Sequence, residues 1–350
     1  MATIAVVGAG IAGLTCGQRL RTAGHEVIWL EKSRGVGGRM ATRRLGDGAW
    51  ADHGLRQWPT EAPQLHELTN DLKQERLLVP WSAQSFLWQG QLEPQPGEVY
   101  CSASGINAIA KHLAQGANIQ RQQQVTALIK TNSGWRLTTH TPDNQTHHVD
   151  TDAVVLAIPA PQAHPLLSPF LDRNLSAALS AVSYAACLSL MATYRDLPNL
   201  PKLDHARGWH ITTKKPAIAW VSLESSKPKI SPETYVLVIQ SQAEFASDYL
   251  KQLDAIPEDQ AALDQLQNTT TAQLLEATTK ILPGLGQPAT HRLQRWRYST
   301  VSHPYPNALL KTSWDSLVGC GDWCGSRQTS LENAYTSGIA AAEHIRHVIA

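Results

Sequence analysis

The stretch Thr3-Ile4-Ala5-Val6-Val7 is almost wholly apolar and stops at a glycine-rich turn, Gly8-Ala9-Gly10-Ile11-Ala12-Gly13, with Gly17 four residues further on. A short Val/Ile-rich run bounded by turn residues predicts a strand buried on both faces, and the residues after Gly10 predict a helix. A second apolar run, Val27-Ile28-Trp29-Leu30, ends at Glu31. Leu65, Leu68, Leu72 and Leu77 recur at near-helical spacing and predict a helix over 60–78. Short strands are predicted at Val79–Trp81 and Ser85–Trp88, and Ser102–Asn107 leads into a helix through Leu113. Val125–Ile129 and Trp135–Thr138 predict a hairpin around Asn132-Ser133-Gly134. Asp152–Ile158 predicts another buried strand, closed by Pro159; Pro161 and Pro165 then mark a crossing out of the first domain.

From Pro165 to about His291 the pattern changes. Cys187–Tyr194, Ala217–Leu223 and Tyr235–Gln240 predict strands of an antiparallel sheet, and Ala243–Leu253 and Asp259–Ile281 predict helices. The chain then returns through 291–299, an apolar strand at 317–320 ending in Gly321-Asp322, and a closing helix from Leu331 to Val348.

The first turn carries a physical reason for its glycines. Gly8 permits the tight turn, Gly10 keeps side-chain atoms off an approaching pyrophosphate, and Gly13 lets helix and strand pack closely. Unpaired N–H groups at the helix start, together with the helix dipole, favour phosphate. Glu31 stands roughly 20 residues beyond the glycines, where a ribose hydroxyl is met. The following loop, Lys32-Ser33-Arg34-Gly35-Val36-Gly37-Gly38-Arg39-Met40, sets three glycines and two arginines beside that site, and Arg39 suits bidentate pairing with phosphate.

Composition narrows the picture. Formal net charge is +1, so no electrostatic case exists for nucleic acid or an anionic membrane. The five cysteines, Cys16, Cys101, Cys187, Cys320 and Cys324, are odd in number and scattered, which suits a reducing compartment rather than a disulfide framework. Cys320 and Cys324 read as packing residues, with a redox pair as the alternative. The first strand leaves no room for a signal peptide, and no apolar stretch is long enough to span a bilayer, so a cytoplasmic protein is expected.

Four features in this order resemble the FAD-dependent amine oxidase superfamily: the first glycine turn, the Gly35–Arg39 loop, the Ala157-Ile158-Pro159 strand end, and Gly321-Asp322 before a helix. Within it, Gly37-Gly38-Arg39-Met40, Asp52-His53-Gly54, Arg295-Trp296-Arg297-Tyr298-Ser299 and the compact length are similar to renalases and their bacterial relatives. One departure is that those proteins carry Ala-Gln-Tyr after Asp-x-Gly, where this chain has Leu55-Arg56-Gln57-Trp58; Gln57-Trp58 matches with a one-residue shift.

The resemblance implies an α/β fold: a split Rossmann-type FAD-binding domain (1–58, 100–164 and 291–350) with a second antiparallel-sheet-plus-helix substrate domain (59–99 and 165–290). It implies FAD as cofactor. Gly8, Gly10, Ile11, Ala12 and Gly13 are expected at the pyrophosphate, and Glu31 with Lys32 at the adenosine ribose. Gly38, Arg39 and Met40 are expected at phosphate or ribityl oxygens, Gln57 at the flavin, and Val125 at adenine through its backbone. Gly321 and Asp322 are expected at the ribityl chain or pyrophosphate, and Asn333-Ala334 at the flavin N1/O2 edge, where a positive helix end favours the anionic reduced ring.

Renalases oxidise misreduced dihydro isomers of NAD(P) and pass the electrons to O2, giving H2O2. Hydride transfer from a dihydropyridine needs stacking, distance and exclusion of water, not a protein base. His53, Trp58, Trp296 and Tyr298 are the expected pocket residues, and Arg297 or Arg56 the cations for a dinucleotide substrate. Trp296 and Tyr298 alternate with Arg295 and Arg297, so the two pairs are expected on opposite faces of a strand. Core packing stands beside the pocket as a role for Trp296. Two alternatives remain open: an amine oxidase using a lysine (Lys214, Lys215 or Lys311) near the flavin, and a non-catalytic flavin-binding redox or assembly protein.

Overall fold

The computed structural model describes residues 1–46, 48–59, 62–228, 234–256, 258–325 and 330–349. Its first half is built on a six-stranded sheet in the order Leu310–Lys311, Leu317–Gly319, Ala153–Leu156, Thr3–Val7, Glu26–Glu31, Asn118–Arg121. Neighbours are parallel except at the Leu310–Lys311 edge.

The central strand shows why its sequence is continuously apolar. Ile4 and Val6 face one layer, with helix Ile11–Thr22 and the closing helix Ser330–Val348. Ala5 and Val7 face the other, with Trp135, Leu137 and the helix Ala160–Leu167. The expected hairpin is present and gains a third strand, Thr146–Thr151. The expected helix over 60–78 is a short 3-10 turn, Pro63–Leu65, running into helix His66–Gln74; residues 60 and 61 lie outside the described residues.

The second half is a seven-stranded sheet in the order Thr290–His303, Ser183–Tyr194, Tyr235–Ser241, Ile218–Leu223, Trp209–Thr213, Gln84–Trp88, Leu92–Gln95. Alternation sorts its two faces. Leu188, Leu190, Leu237 and Ile239 pack under helices Ala243–Ala255 and Gln260–Thr279. Met191, Val236 and Val238 face the first half and pack on Ala49 and Ala51.

Two sequence expectations change here. Pro161 and Pro165 do not lead straight out of the first layer; they lie within helix Ala160–Leu167, where Pro161 occupies the first turn and has no hydrogen bond to lose. The stretch 291–299 does not rejoin the six-stranded sheet. It belongs to the long strand Thr290–His303, paired antiparallel with Ser183–Tyr194, and the chain rejoins the first sheet at Leu310.

Candidate cofactor and substrate site

The glycine turn has the shape its spacing requires. Gly8 sits at φ +101°, and a Cβ there would lie 2.6 Å from the Ala157 carbonyl oxygen. A Cβ on Gly13 would lie 2.0 Å from the Gly8 carbonyl oxygen, so helix and strand meet backbone to backbone. Gly17, which the sequence marked without a role, makes room for the Trp29 indole, whose N–H donates to the Gly13 carbonyl at 2.9 Å. Gly10 differs from these. It is the N-cap of helix Ile11–Thr22, has no side chain to cap it, and faces open space, with nothing within 4 Å of a built Cβ. The helix start at Ile11, Ala12 and Gly13 therefore presents backbone N–H groups to that space.

Glu31 closes one side. Its Oε2 accepts from the Ala9 N–H at 2.8 Å and its Oε1 from the Ser33 N–H at 2.7 Å. Each oxygen retains a lone pair for a ribose hydroxyl. Lys32 is exposed and donates to Gln162 Oε1 at 3.2 Å. The Gln123 N–H donates to the Glu31 carbonyl at 3.0 Å, which fixes the buried Val125 near the same strand end. The glycine loop lies against the turn: Gly37 N–H donates to the Ala9 carbonyl at 2.8 Å, and Asn107 Nδ2 donates to Val36 O at 2.7 Å. A Cβ on Gly38 would lie 3.6 Å from Gly10 Cα, and Met40 is buried in the first core.

Arg39 and Asp322, expected as separate ligand contacts, are bonded to each other. Arg39 Nη1 donates to Asp322 Oδ2 at 2.6 Å and to the Ser299 carbonyl at 2.8 Å. Burial opposes charge on Arg39, but the Asp322 carboxylate outweighs it and raises the pKa of Arg39. Tyr184, which sequence reasoning missed, donates to Asp322 Oδ1 at 3.4 Å and meets Tyr298 edge to face. Gly321 N–H is held by Ser337 Oγ at 3.0 Å, and Asn333 Nδ2 by the Asp322 carbonyl at 3.3 Å. Ala334 follows, buried in the first turns of the closing helix.

Beside this lies a wall of stacked rings. His53 stacks on Trp296 with centroids 5.4 Å apart, and the Trp296 N–H donates to the His53 carbonyl at 2.8 Å. His210 stacks on Trp220 at 4.4 Å and shares a 2.7 Å hydrogen bond with Ser85 Oγ. Burial lowers both histidine pKa values to about 4, helped at His53 by Arg43 and at His210 by Lys227 and Arg56. Both rings are therefore neutral at pH 7. Gln240 spans the wall: its Nε2 donates to the His53 and Gly54 carbonyls, and its Oε1 accepts from Arg56 Nε.

The expected alternation along 295–298 is seen. Trp296 lies with His53, whereas Arg297 faces away and pairs with Asp254 of helix Ala243–Ala255. Of the two expected cations, Arg297 is thus engaged away from the wall, whereas Arg56 lies on its side, against Gln240 and Trp220. Trp58 is also a correction. It is 1 % exposed in the first core, with its N–H on Thr69 Oγ1 at 2.9 Å, so it anchors helix His66–Gln74 and does not line the pocket. Lys214, Lys215 and Lys311 are all exposed.

Among the described residues the buried lysine is Lys227, which the sequence hid in a Ser/Lys/Pro stretch. Its Nζ lies 3.0 Å from Asp52 Oδ2 and 2.7 Å from Glu224 Oε2, with all three side chains at most 2 % exposed. Burial opposes charge on Lys227, but the two carboxylates outweigh it and raise its pKa; burial raises that of Glu224. Asp52 Oδ1 also accepts from Thr42 and the Ile106 N–H, which ties the cofactor loop to the second sheet. The five thiols are buried; burial pushes Cys320 up to about 12, and Cys16 and Cys324 are raised too. They act as packing groups, not as a reactive pair.

These features fit FAD. The uncapped helix start at Gly10 suits pyrophosphate and the Glu31 carboxylate suits ribose. Gln57 Oε1 is buried without a hydrogen-bond partner, an acceptor suited to a flavin N–H.

Comparison with known proteins agrees. Residues 6–72 match the NAD(P)-binding Rossmann-like domain family, and residues 80–346 match the flavin containing amine oxidoreductase family. The chain is 23 % identical to renalase from Mus musculus over 100 % of both chains. It is 33 % identical to 15-cis-phytoene desaturase from Synechococcus elongatus, over 26 % of this chain and only 19 % of that one. Wild-type putrescine oxidase bound to putrescine superposes with a TM-score of 0.71 at 14 % identity, covering 99 % of each chain, a likeness of fold. No helix among the described residues is long and apolar enough to cross a membrane.

Proposed function

The chain belongs to the flavin containing amine oxidoreductase family and depends on FAD, and on that premise we propose a renalase-type oxidase. In this reading the enzyme takes a hydride from isomeric dihydro-NAD(P) and delivers two electrons and two protons to O2. The balance is dihydro-NAD(P) plus O2 plus H⁺ giving NAD(P)⁺ plus H2O2. Bound FAD supplies the two-electron acceptor.

The observation that carries this reading is the wall of neutral stacked rings. Trp296 is part-exposed, while His53, His210 and Trp220 are buried; together the two stacked pairs make an uncharged aromatic surround suited to a dihydropyridine. With pKa values held near 4, neither histidine is a strong base, and hydride donation asks for none. The neighbouring acids are committed: Asp52 and Glu224 to Lys227, and Asp322 to Arg39. None is free to receive an ammonium substrate. The full-length similarity to mouse renalase supports the same reading. An amine oxidase lysine has weaker support. Lys214, Lys215 and Lys311 are exposed, and Lys227 is locked between two carboxylates.

The test is anaerobic mixing of the holoenzyme with isomeric dihydro-NAD(P) and, separately, with a panel of primary and secondary amines. Bleaching of the flavin by the dihydropyridines alone is expected. Bleaching by an amine alone overturns the reading, and no bleaching by either favours a non-catalytic flavin protein.

A further inference from the structure

Among the described residues, three arginines have a carboxylate partner: Arg39 with Asp322, Arg136 with Asp150, and Arg297 with Asp254. Arg56 has none. It is half-buried on the face of the second sheet that looks toward the cofactor half. Its Nε donates to Gln240 Oε1, and its guanidinium lies over the Trp220 ring, 5.2 Å from the centroid. Gln240 is itself fixed by the His53 and Gly54 carbonyls, so the fork is aimed from a braced side chain. Among the described residues, the other edge of the guanidinium has no hydrogen-bond partner. Burial lowers the pKa of Arg56, the mark of a cation left without its counter-charge. The nearby acids Asp52 and Glu224 are taken by Lys227. At the same end of the sheet, the hairpin turn after Thr212, which pairs with Trp220, carries two exposed lysines, Lys214 and Lys215.

A planar fork braced on one edge and open on the other is the geometry that receives a phosphate oxyanion in bidentate fashion. We propose that Arg56 is the specificity-determining residue of the substrate site and selects dihydropyridine donors that carry a phosphate over those that do not. This rests on the hydride-transfer reading, and its test separates the two.

Wild type, Arg56→Met and Arg56→Lys are prepared as holoenzymes and assayed with a dihydronicotinamide dinucleotide and with the corresponding riboside, which lacks phosphate. The ratio of kcat/KM for dinucleotide over riboside is expected to fall at least about 30-fold in Arg56→Met, with the loss in KM. Arg56→Lys, a point charge without the fork, is expected to fall between. An equal loss on both donors, or no change in the ratio, overturns the proposal and leaves the hydride reading standing. Independently, inorganic pyrophosphate is titrated into each holoenzyme while the flavin visible spectrum is followed. A saturable perturbation in wild type that is lost in Arg56→Met supports the proposal; the same response in both, or none in either, contradicts it. If no dihydropyridine reduces the wild-type flavin, the hydride reading falls and this titration alone decides the role of Arg56.

Discussion

Lys227 holds two carboxylates that would otherwise be buried with no counter-charge. Removing one member of such a cluster costs about 3–5 kcal/mol. Lys227→Met should therefore lower unfolding free energy by about that amount in chemical denaturation, whereas a change below about 1 kcal/mol would mean that the acids are neutral or hydrated. His53 and His210 make a pH prediction. Their folded pKa values, about 4, lie below the ordinary 6.5, so the unfolded chain binds protons first as pH falls. Stability from these neutral rings is complete above pH 6.5 and is lost progressively as pH drops toward 4. The loss is on the order of 3 kcal/mol per histidine. In a series of denaturation curves between these pH values, His210→Gln should show a shallower decline than wild type; an unchanged slope would exclude His210 as a source.

At the scale of elements, the closing helix crosses helix Ile11–Thr22 at Gly338, where a Cβ would lie 2.4 Å from the Ala12 carbonyl oxygen. Gly338→Val should push apart the two helices behind the glycine turn. It should cost about 1–3 kcal/mol in unfolding free energy and weaken rebinding of FAD to apoprotein, measured by fluorescence titration. Gly286→Ala, with nothing within 4 Å of the added carbon, is the control and should change stability by less than about 0.5 kcal/mol. Elements with a strong pattern were legible in the sequence. The central strand Thr3–Val7 is buried on both faces and reads so. The helix Ala160–Leu167 was hidden because its prolines look like an exit, although a proline in the first turn forfeits no bond. Strand Thr290–His303 is half-exposed and rich in Arg and His, so its pairing with Ser183–Tyr194 had no apolar signature to announce it.

Across the whole molecule, the candidate cofactor site and the wall of stacked rings differ in how far sequence alone exposes them. Gly8, Gly10, Gly13 and Glu31 are local in the chain, and each has a backbone reason to be there. The wall is assembled from distant segments: Arg56 by Gln240, His53 by Trp296, Asp52 by Lys227. No spacing rule links such residues, because a sheet brings them together only after it has paired. The Arg39–Asp322 pair shows the same limit; both residues were marked, but their contact was not. Arg39, through the Ser299 carbonyl, also joins the cofactor loop to the second sheet. Arg39→Met should therefore weaken FAD retention on dilution more than Arg297→Met, whose partner Asp254 is exposed.

The most direct measurement is an anaerobic single turnover of the holoenzyme with one equivalent of an isomeric dihydro-NAD(P), followed by chromatography of the released nucleotide. One NAD(P)⁺ per flavin bleached is the expected result, with full recovery of the flavin colour and one H2O2 on admitting air. Unchanged flavin and unchanged dihydronucleotide, in an enzyme that an amine reduces with release of an aldehyde or ketone, would contradict it.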